Sequence, residues 1–408
     1  MLKHENISFL TVGLLTDKAL DEGDNNRMAN TYRADQVGSF LRPRAVLDAH
    51  VAHAAGTLEL AKMRAIEDEA IRELLAMERE TGISVLSDGE LRRGSWAGDF
   101  QDAVDGYVEG TPAVSVAMQG GPAVIPIPGM AAGGMRRRVI GEKLRQRQRL
   151  TGHESAFVKA NAAGRPYKVT MPAATYVVAR AYNPEITSRA YATRAEVLHD
   201  AAQIIRGEIQ ALLDEGCPYI QLDNPHYPDY VVDSRRDAWH SVGVDPDQAL
   251  AEDIAADNAC LEGLNRGGTV LAMHLCRGNG GRGPDAPAGW HTEGGYDRIA
   301  EQLFTTLKVD RFLLEYDSDR AGTFEPLRFM PKGKMVVLGL VSTKLSELEP
   351  ADAIVRRIEE AATFVPLEQL ALSPQCGFAS TAPGNPLTVD EQRRKLELVV
   401  EVAHKVWG

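Results

Sequence analysis

At 408 residues, with 44% hydrophobic and 25% charged content, the chain has an ordinary globular makeup and room for two average domains or one large α/β barrel. Its 45 Lys and Arg against 57 Asp and Glu give a net charge of −12, a field that repels phosphates and argues against nucleic-acid or anionic-membrane binding. No apolar run approaches the ~18 residues of a membrane span, the cysteines (217, 260, 276 and 376) make no disulfide scaffold, and the N-terminus is a poor secretion signal, so a cytoplasmic location is expected.

The polar, aperiodic start of the chain reads as a flexible N-terminal extension, residues 1–32, with Met28 as an alternative translation start. From 33 to 408, β-branched or apolar runs alternate with amphipathic stretches, the pattern of βα units on a parallel sheet. Strands are predicted at 35–40, 84–90, 167–172, 219–223, 269–276, 311–317, 334–341 and 369–376. Helical patterns such as "TRAEVLHDAAQIIRGEIQALLDEG" lie between them, and the last opens at Thr388, an N-cap type. Eight strands each followed by helix predict a single (β/α)8 TIM barrel over 33–408, with an open doubly wound sheet as the competing arrangement. The excess length falls at 92–166, a large insertion after the second strand, and its Arg-rich run at 136–149 reads as a solvated face.

Chemically capable residues collect at the C-terminal ends of the predicted strands: Ser39, Asp88, Glu90, Asp223, His274, Cys276, Glu315, Asp317 and Cys376. In a barrel those ends meet at one mouth, where active sites are built. His274 and Cys276, two apart on a strand, face the same way. With Glu315 and Cys376 they make a His, Cys, Glu, Cys set whose thiolates favour four-coordinate Zn2+ over Mg2+ or Ca2+. From the residues alone, small buried thiols and a satisfied core histidine remain the competing reading. The glycine-crowded stretch after Cys276 matches G-x-G-x-x-G at Gly278, Gly280 and Gly283 but runs into "PDAPAGW". That sequence cannot open the helix a phosphate cradle needs, so a loop over the mouth is expected instead.

"DQVGSFLRP", "LSDGELRRG", "YIQLDNPHY", "MHLCRGN", "FLLEYDSDRAG" and "SPQCGF", in this order, resemble the motifs of the zinc-dependent, cobalamin-independent methionine synthases, their C-terminal catalytic barrel and its short single-barrel relatives. The resemblance spans residues 33 to 408 and implies zinc ligands His274, Cys276, Glu315 and Cys376. It also implies an amino-acid pocket in which Gly38 and Ser39 take the substrate carboxylate and Glu90 and Asp223 its ammonium. The implied reaction is methyl transfer to homocysteine, giving methionine, with methyltetrahydrofolate as the family's donor and Glu315 the ligand that loosens as the thiol arrives.

The chain departs from that pattern at the seventh strand, where the family presents Asp-x-His, the His acting as acid toward folate. Here the stretch reads "GLVSTKLSELE", with Ser342, Thr343 and Lys344 and no histidine. A folate nitrogen leaves poorly unless protonated, which puts the folate donor in doubt but not the thiol acceptor. His226, just past the fourth strand, and His291, in the glycine loop, are the candidates to supply a proton instead and Lys344 is a candidate cationic clamp, while each also reads as an ordinary loop or solvated residue. Alkyl transfer to another thiol, such as epoxide opening by coenzyme M, is the alternative function. A metal-free decarboxylase and a purely structural zinc barrel fit the motifs less well.

Overall fold

The structure is a computed structural model and describes residues 32–97, 100–112, 138–241, 243–278 and 292–408. The N-terminal extension up to residue 31, the loop 279–291 with His291, and Arg136 and Arg137 lie outside the described residues. Two strands of the insertion, β1 (Val104–Glu109) and β2 (Arg138–Gln146), form an antiparallel pair. The main sheet takes six strands in chain order: β3 (Lys168–Pro172), β4 (Tyr219–Asp223), β5 (Val270–Leu275), β6 (Arg311–Glu315), β7 (Met335–Val341) and β8 (Leu370–Pro374). Every neighbouring pair is parallel, as the βα alternation predicts.

The two remaining predicted strands do not form ladders. Segment 33–37 meets the sheet through one parallel bridge, Ala34 to Leu372 of β8, and segment 84–87 through Leu86 to Tyr167 beside β3. The Ser84 N–H donates to the Ala34 carbonyl at 2.9 Å and joins the two segments to each other. A barrel path is traced, but its closure rests on bridges. The cause is local: Gly38 (φ 141°), Gly89 (φ 66°) and Glu90 (φ 57°) turn the backbone out of the extended region at the point where the segments enter the site.

Strand alternation separates two layers. Tyr219, Val270, Ala272, Leu313, Met335, Val337 and Ala371 face inward with Val37 and Val85. Residues between them, such as Ile220, Met273, Leu314 and Leu338, pack outward in the larger core. Helices Leu60–Thr81, Arg194–Asp214, Pro246–Leu261, Ala351–Ala361 and Val389–Trp407 supply the other side of that core. Thr388 caps the last of these in a capping box, its hydroxyl accepting from the Glu391 N–H and the Glu391 carboxylate accepting in return. Among the described residues no helix is long and apolar enough to cross a membrane.

The inward face is not wholly apolar. Asp35, fully buried, accepts from Lys168 Nζ at 2.8 Å and from the Tyr219 hydroxyl at 3.0 Å, with Arg311 at 3.3 Å. Each ion therefore has an opposite partner inside the barrel, the condition under which buried charge is tolerated. In the insertion, Arg138, Arg147 and Arg149 pair with Asp102, Asp105, Glu208 and Glu215, which agrees with a paired, solvated basic run.

Candidate functional site

The C-terminal ends of the strands carry the polar groups, and register brings them side by side. Asp223 at the end of β4 is the ladder partner of His274 on β5, and the His274 Nδ1 lies 2.8 Å from Asp223 Oδ1. Asp223 also accepts from Gln221 Nε2 at 2.8 Å. This carboxylate fixes the imidazole so that Nε2 points elsewhere. That Nε2 is buried and has no hydrogen-bond partner among the described residues. A buried ring nitrogen left open in this way is rare in a satisfied core histidine.

Cys276, just past β5, and Cys376, just past β8, approach to 3.4 Å between their sulfurs. Ligand atoms of His274, Cys276 and Cys376 all lie within 4.8 Å of one another. Cys276 is held below the usual thiol range, chiefly by the hydrogen bond from Cys376 and also by His274, while Cys376 is pushed well up by the same contact and by burial. Two sulfurs and an open imidazole nitrogen, with a carboxylate behind the imidazole, suit a soft, tetrahedral divalent ion such as zinc.

Glu315 ends β6, fully buried, but its carboxylate does not join that group. One oxygen accepts from Lys344 Nζ at 3.0 Å and pairs with Arg320, and the other accepts the Arg277 backbone N–H at 2.9 Å. Lys344, itself buried, also lies 3.4 Å from Asp317, and burial holds its ammonium below the usual lysine value against the pull of Asp317. Thr343, next to it, fastens the neighbouring loop by donating to the Gly377 carbonyl at 3.1 Å.

A second set adjoins this one. Glu90 accepts from the Thr170 hydroxyl at 2.7 Å with one oxygen, and its other oxygen is buried and unpartnered among the described residues. Burial pushes its carboxyl up to about 7; Arg93 pulls the other way, and the negative charge of Asp223 adds to the rise. Asp88 is driven up to about 6, mainly by burial, and it too keeps one oxygen buried without a partner. Gly38 runs beside Glu90: a Cβ there would lie 2.8 Å from Thr170 Cγ2 and 3.0 Å from Glu90 Oε1. Ser39 is buried against Gly377, where a Cβ would come within 1.9 Å of the Ser39 hydroxyl. Gly377 follows Cys376, so the Gly38-Ser39 segment touches the thiol loop directly.

The structure thus gathers Gly38, Ser39, Glu90, Asp223, His274, Cys276 and Cys376 at one mouth, with Glu315 and Lys344 paired beside them. His226 stands apart, outside the His274, Cys276 and Cys376 group. Its Nδ1 lies 3.2 Å from Asp229, and its Nε2 is 3.1 Å from the Tyr230 hydroxyl and 3.2 Å from Asp253. Both nitrogens are committed to a buried polar cluster. Residue types alone missed Thr170, the role of Asp223 behind the imidazole, and the Arg320 contact. The first two were recoverable from strand register. Arg320, five residues past Glu315, left no periodic signal.

Residues 33–277 match the family model described as "Cobalamin-independent synthase, Catalytic domain". The chain is 35% identical over 387 residues to the uncharacterized protein YxjH of Bacillus subtilis (strain 168), covering 92% of this chain and 95% of that one. It is 21% identical over 345 residues to a methionine synthase of Saccharolobus solfataricus, covering 84% and 86% respectively. The crystal structure of a putative vitamin-B12 independent methionine synthase from Listeria monocytogenes superposes with a TM-score of 0.69 at 29% identity, over 92% of this chain and 98% of that one. A B12-independent methionine synthase from Shewanella sp. W3-18-1, solved in complex with selenomethionine, shares the fold with a TM-score of 0.66 at 18% identity, over 92% and 98%.

Proposed function

The chain belongs to the cobalamin-independent methionine synthase family, and on that premise we propose that it is a zinc-dependent S-methyltransferase that methylates the thiol of homocysteine to give methionine. The observation that carries the reading is the buried, unpartnered His274 Nε2 within 4.8 Å of two thiol sulfurs. His274, Cys276 and Cys376 would hold the ion, Asp223 orienting the imidazole from behind. Zinc there supplies Lewis acidity that keeps a substrate thiol, of ordinary pKa ~8.5, in its thiolate form at neutral pH.

The chain's own groups bind and orient the amino acid. The open oxygen of Glu90, with the Asp223 carboxylate acting on it from close by, matches an α-ammonium, and the Gly38-Ser39 segment, packed on the Cys376 loop, offers its hydroxyl to the carboxylate. Fixing the amino acid at that end holds its sulfur near the thiol loop and turns an encounter into a positioned attack. On the donor side, Ser342, Thr343 and Lys344 stand where the family presents its histidine, and the Lys344 ammonium, held by Glu315 and Asp317, would be a cationic clamp for the donor. The missing histidine favours a second reading, in which the thiol of coenzyme M opens an epoxide, a reaction that needs no folate and leaves an alkoxide that takes up a proton.

Purified protein should turn over homocysteine with a methyl donor only when zinc is present, and stripping the metal should abolish the reaction. Full rate in metal-free protein would end the proposal. Conversion of a sulfonated thiol without any methionine formation would replace it by the second reading.

A further inference from the structure

Arg42 lies buried just past the Gly38-Ser39 segment, and its hydrogen bonds among the described residues all end on backbone carbonyls. Nε donates to the Arg93 carbonyl and Nη2 to that of Glu90, both at 3.0 Å. Nη1 donates to the carbonyls of Ala379 at 3.1 Å and Thr381 at 3.3 Å. One planar fork thus joins the segment that carries Ser39, the segment that carries Glu90 and the loop that carries Cys376. The sheet itself holds these parts of the mouth weakly. The first two segments reach it through single bridges, and the Cys376 loop lies beyond the end of β8. Between the loop and the two segments the backbone adds one bridge, Ser95 to Thr381, and the bond from the Phe378 N–H to the Ser39 carbonyl at 2.8 Å.

On the reading of the site given above, we infer that Arg42 is a positioning residue that couples the amino-acid pocket to the thiol loop, so that a metal ion on the loop tightens the hold on the amino acid's polar end. Glu90 stands at φ 57°, a conformation that a non-glycine residue keeps only when its surroundings impose it. Arg42 grips the carbonyls of Glu90 and Arg93, the two ends of the turn closed by the Arg93 N–H on the Glu90 carbonyl. The same guanidinium grips the loop on its far side. Without the fork these buried carbonyls lose their donor and must shift toward another. A displacement of the Cys376 loop therefore reaches Glu90, and by linkage the effect runs equally in reverse. A lysine could not substitute: its donors sit on one nitrogen, whereas the guanidinium spreads five across a rigid plane.

The test measures the affinity of the intact protein for norleucine with and without Zn2+. Norleucine has the ammonium and carboxylate of the amino acid but no sulfur with which to bind a metal directly. In the wild type, zinc should tighten norleucine binding by about fivefold or more, the lower end of ordinary coupling between sites. Arg42→Lys keeps the charge and loses the fork, and the ratio of the two affinities should fall below half the wild-type value. Arg42→Gln, with two amide donors, replaces it should the lysine variant fail to fold. A residue that merely supported the fold would lower the urea midpoint and leave the ratio in the folded protein unchanged. A wild-type ratio near one, or a variant ratio above half the wild-type value, overturns the inference. Wild-type protein that takes up neither zinc nor norleucine defeats the reading of the site and this inference with it, a result distinct from either ratio.

Discussion

A buried carboxyl titrating near neutrality makes Glu90 a reporter for its own ligand. Its pKa of about 7 lies above the usual carboxylate value, so the folded chain takes up a proton there. The contribution to stability is complete below the ordinary carboxylate pKa and is lost as pH rises through about 7. A cationic ammonium reverses the preference, because it favours the ionised carboxylate. Amino-acid binding should therefore expel a proton and tighten as pH rises from 6 to 8. Calorimetry with methionine, which has no thiol proton to confuse the count, should show release approaching about one proton at pH 6 in buffers of differing ionisation heat. Glu90→Gln should abolish that release and weaken binding at least tenfold. Heats that do not depend on the buffer would remove Glu90 from the ammonium site. At this scale the sequence was informative wherever strand periodicity fixed a direction. His274 and Cys276 share a face, and Cys376 closes on them from a strand end 100 residues later. The partners of Glu315 were not legible, since Arg320 follows a backbone bend that no spacing rule describes.

Elements were legible in proportion to their regularity. Strands β3 to β8 fall within the predicted runs because apolar, β-branched stretches bounded by helix caps have one economical use in an α/β chain. The predicted segments 35–40 and 84–90 are apolar and extended in composition but serve the site, and their glycines bend them out of any ladder. The β1 and β2 hairpin was missed as strand. "VDGYVE" interrupts its alternation with Gly106, where the register slips, and β2 reads as a charge run before it reads as a strand. How strongly two elements are locked together can be tested at Gly377. A methyl there would sit 1.9 Å from the Ser39 hydroxyl, which is incompatible with both loops keeping their places. Gly377→Ala should raise the KM for the amino acid and lower zinc affinity together, each by about tenfold, because one displacement moves Ser39 and Cys376 at once. A change in only one of the two constants would show that the loops move independently.

For the whole molecule, the weak point is the seam. Segments 33–37 and 84–87 close the barrel path through single bridges, where a ladder would have supplied several hydrogen bonds. What replaces them is the buried ion cluster: Asp35 on the first segment reaches Lys168 of β3, Tyr219 of β4 and Arg311 of β6 across the interior. Four parts of the barrel are tied through one carboxylate that has no exposed surface. Asp35→Asn would keep the shape and leave Lys168 and Arg311 without a full countercharge, a loss of about 3–5 kcal/mol on the scale of broken buried ion pairs. Since domains of this kind are stable by only about 5–15 kcal/mol, the variant should unfold at a markedly lower urea concentration. The metal group lies at the opposite ends of the same strands, so folded Asp35→Asn protein should bind zinc with near wild-type affinity. A urea midpoint shifted by less than about 1 kcal/mol equivalent would mean that the cluster does not close the seam. Weakened zinc binding in the folded variant would mean that base and mouth are coupled through the strands.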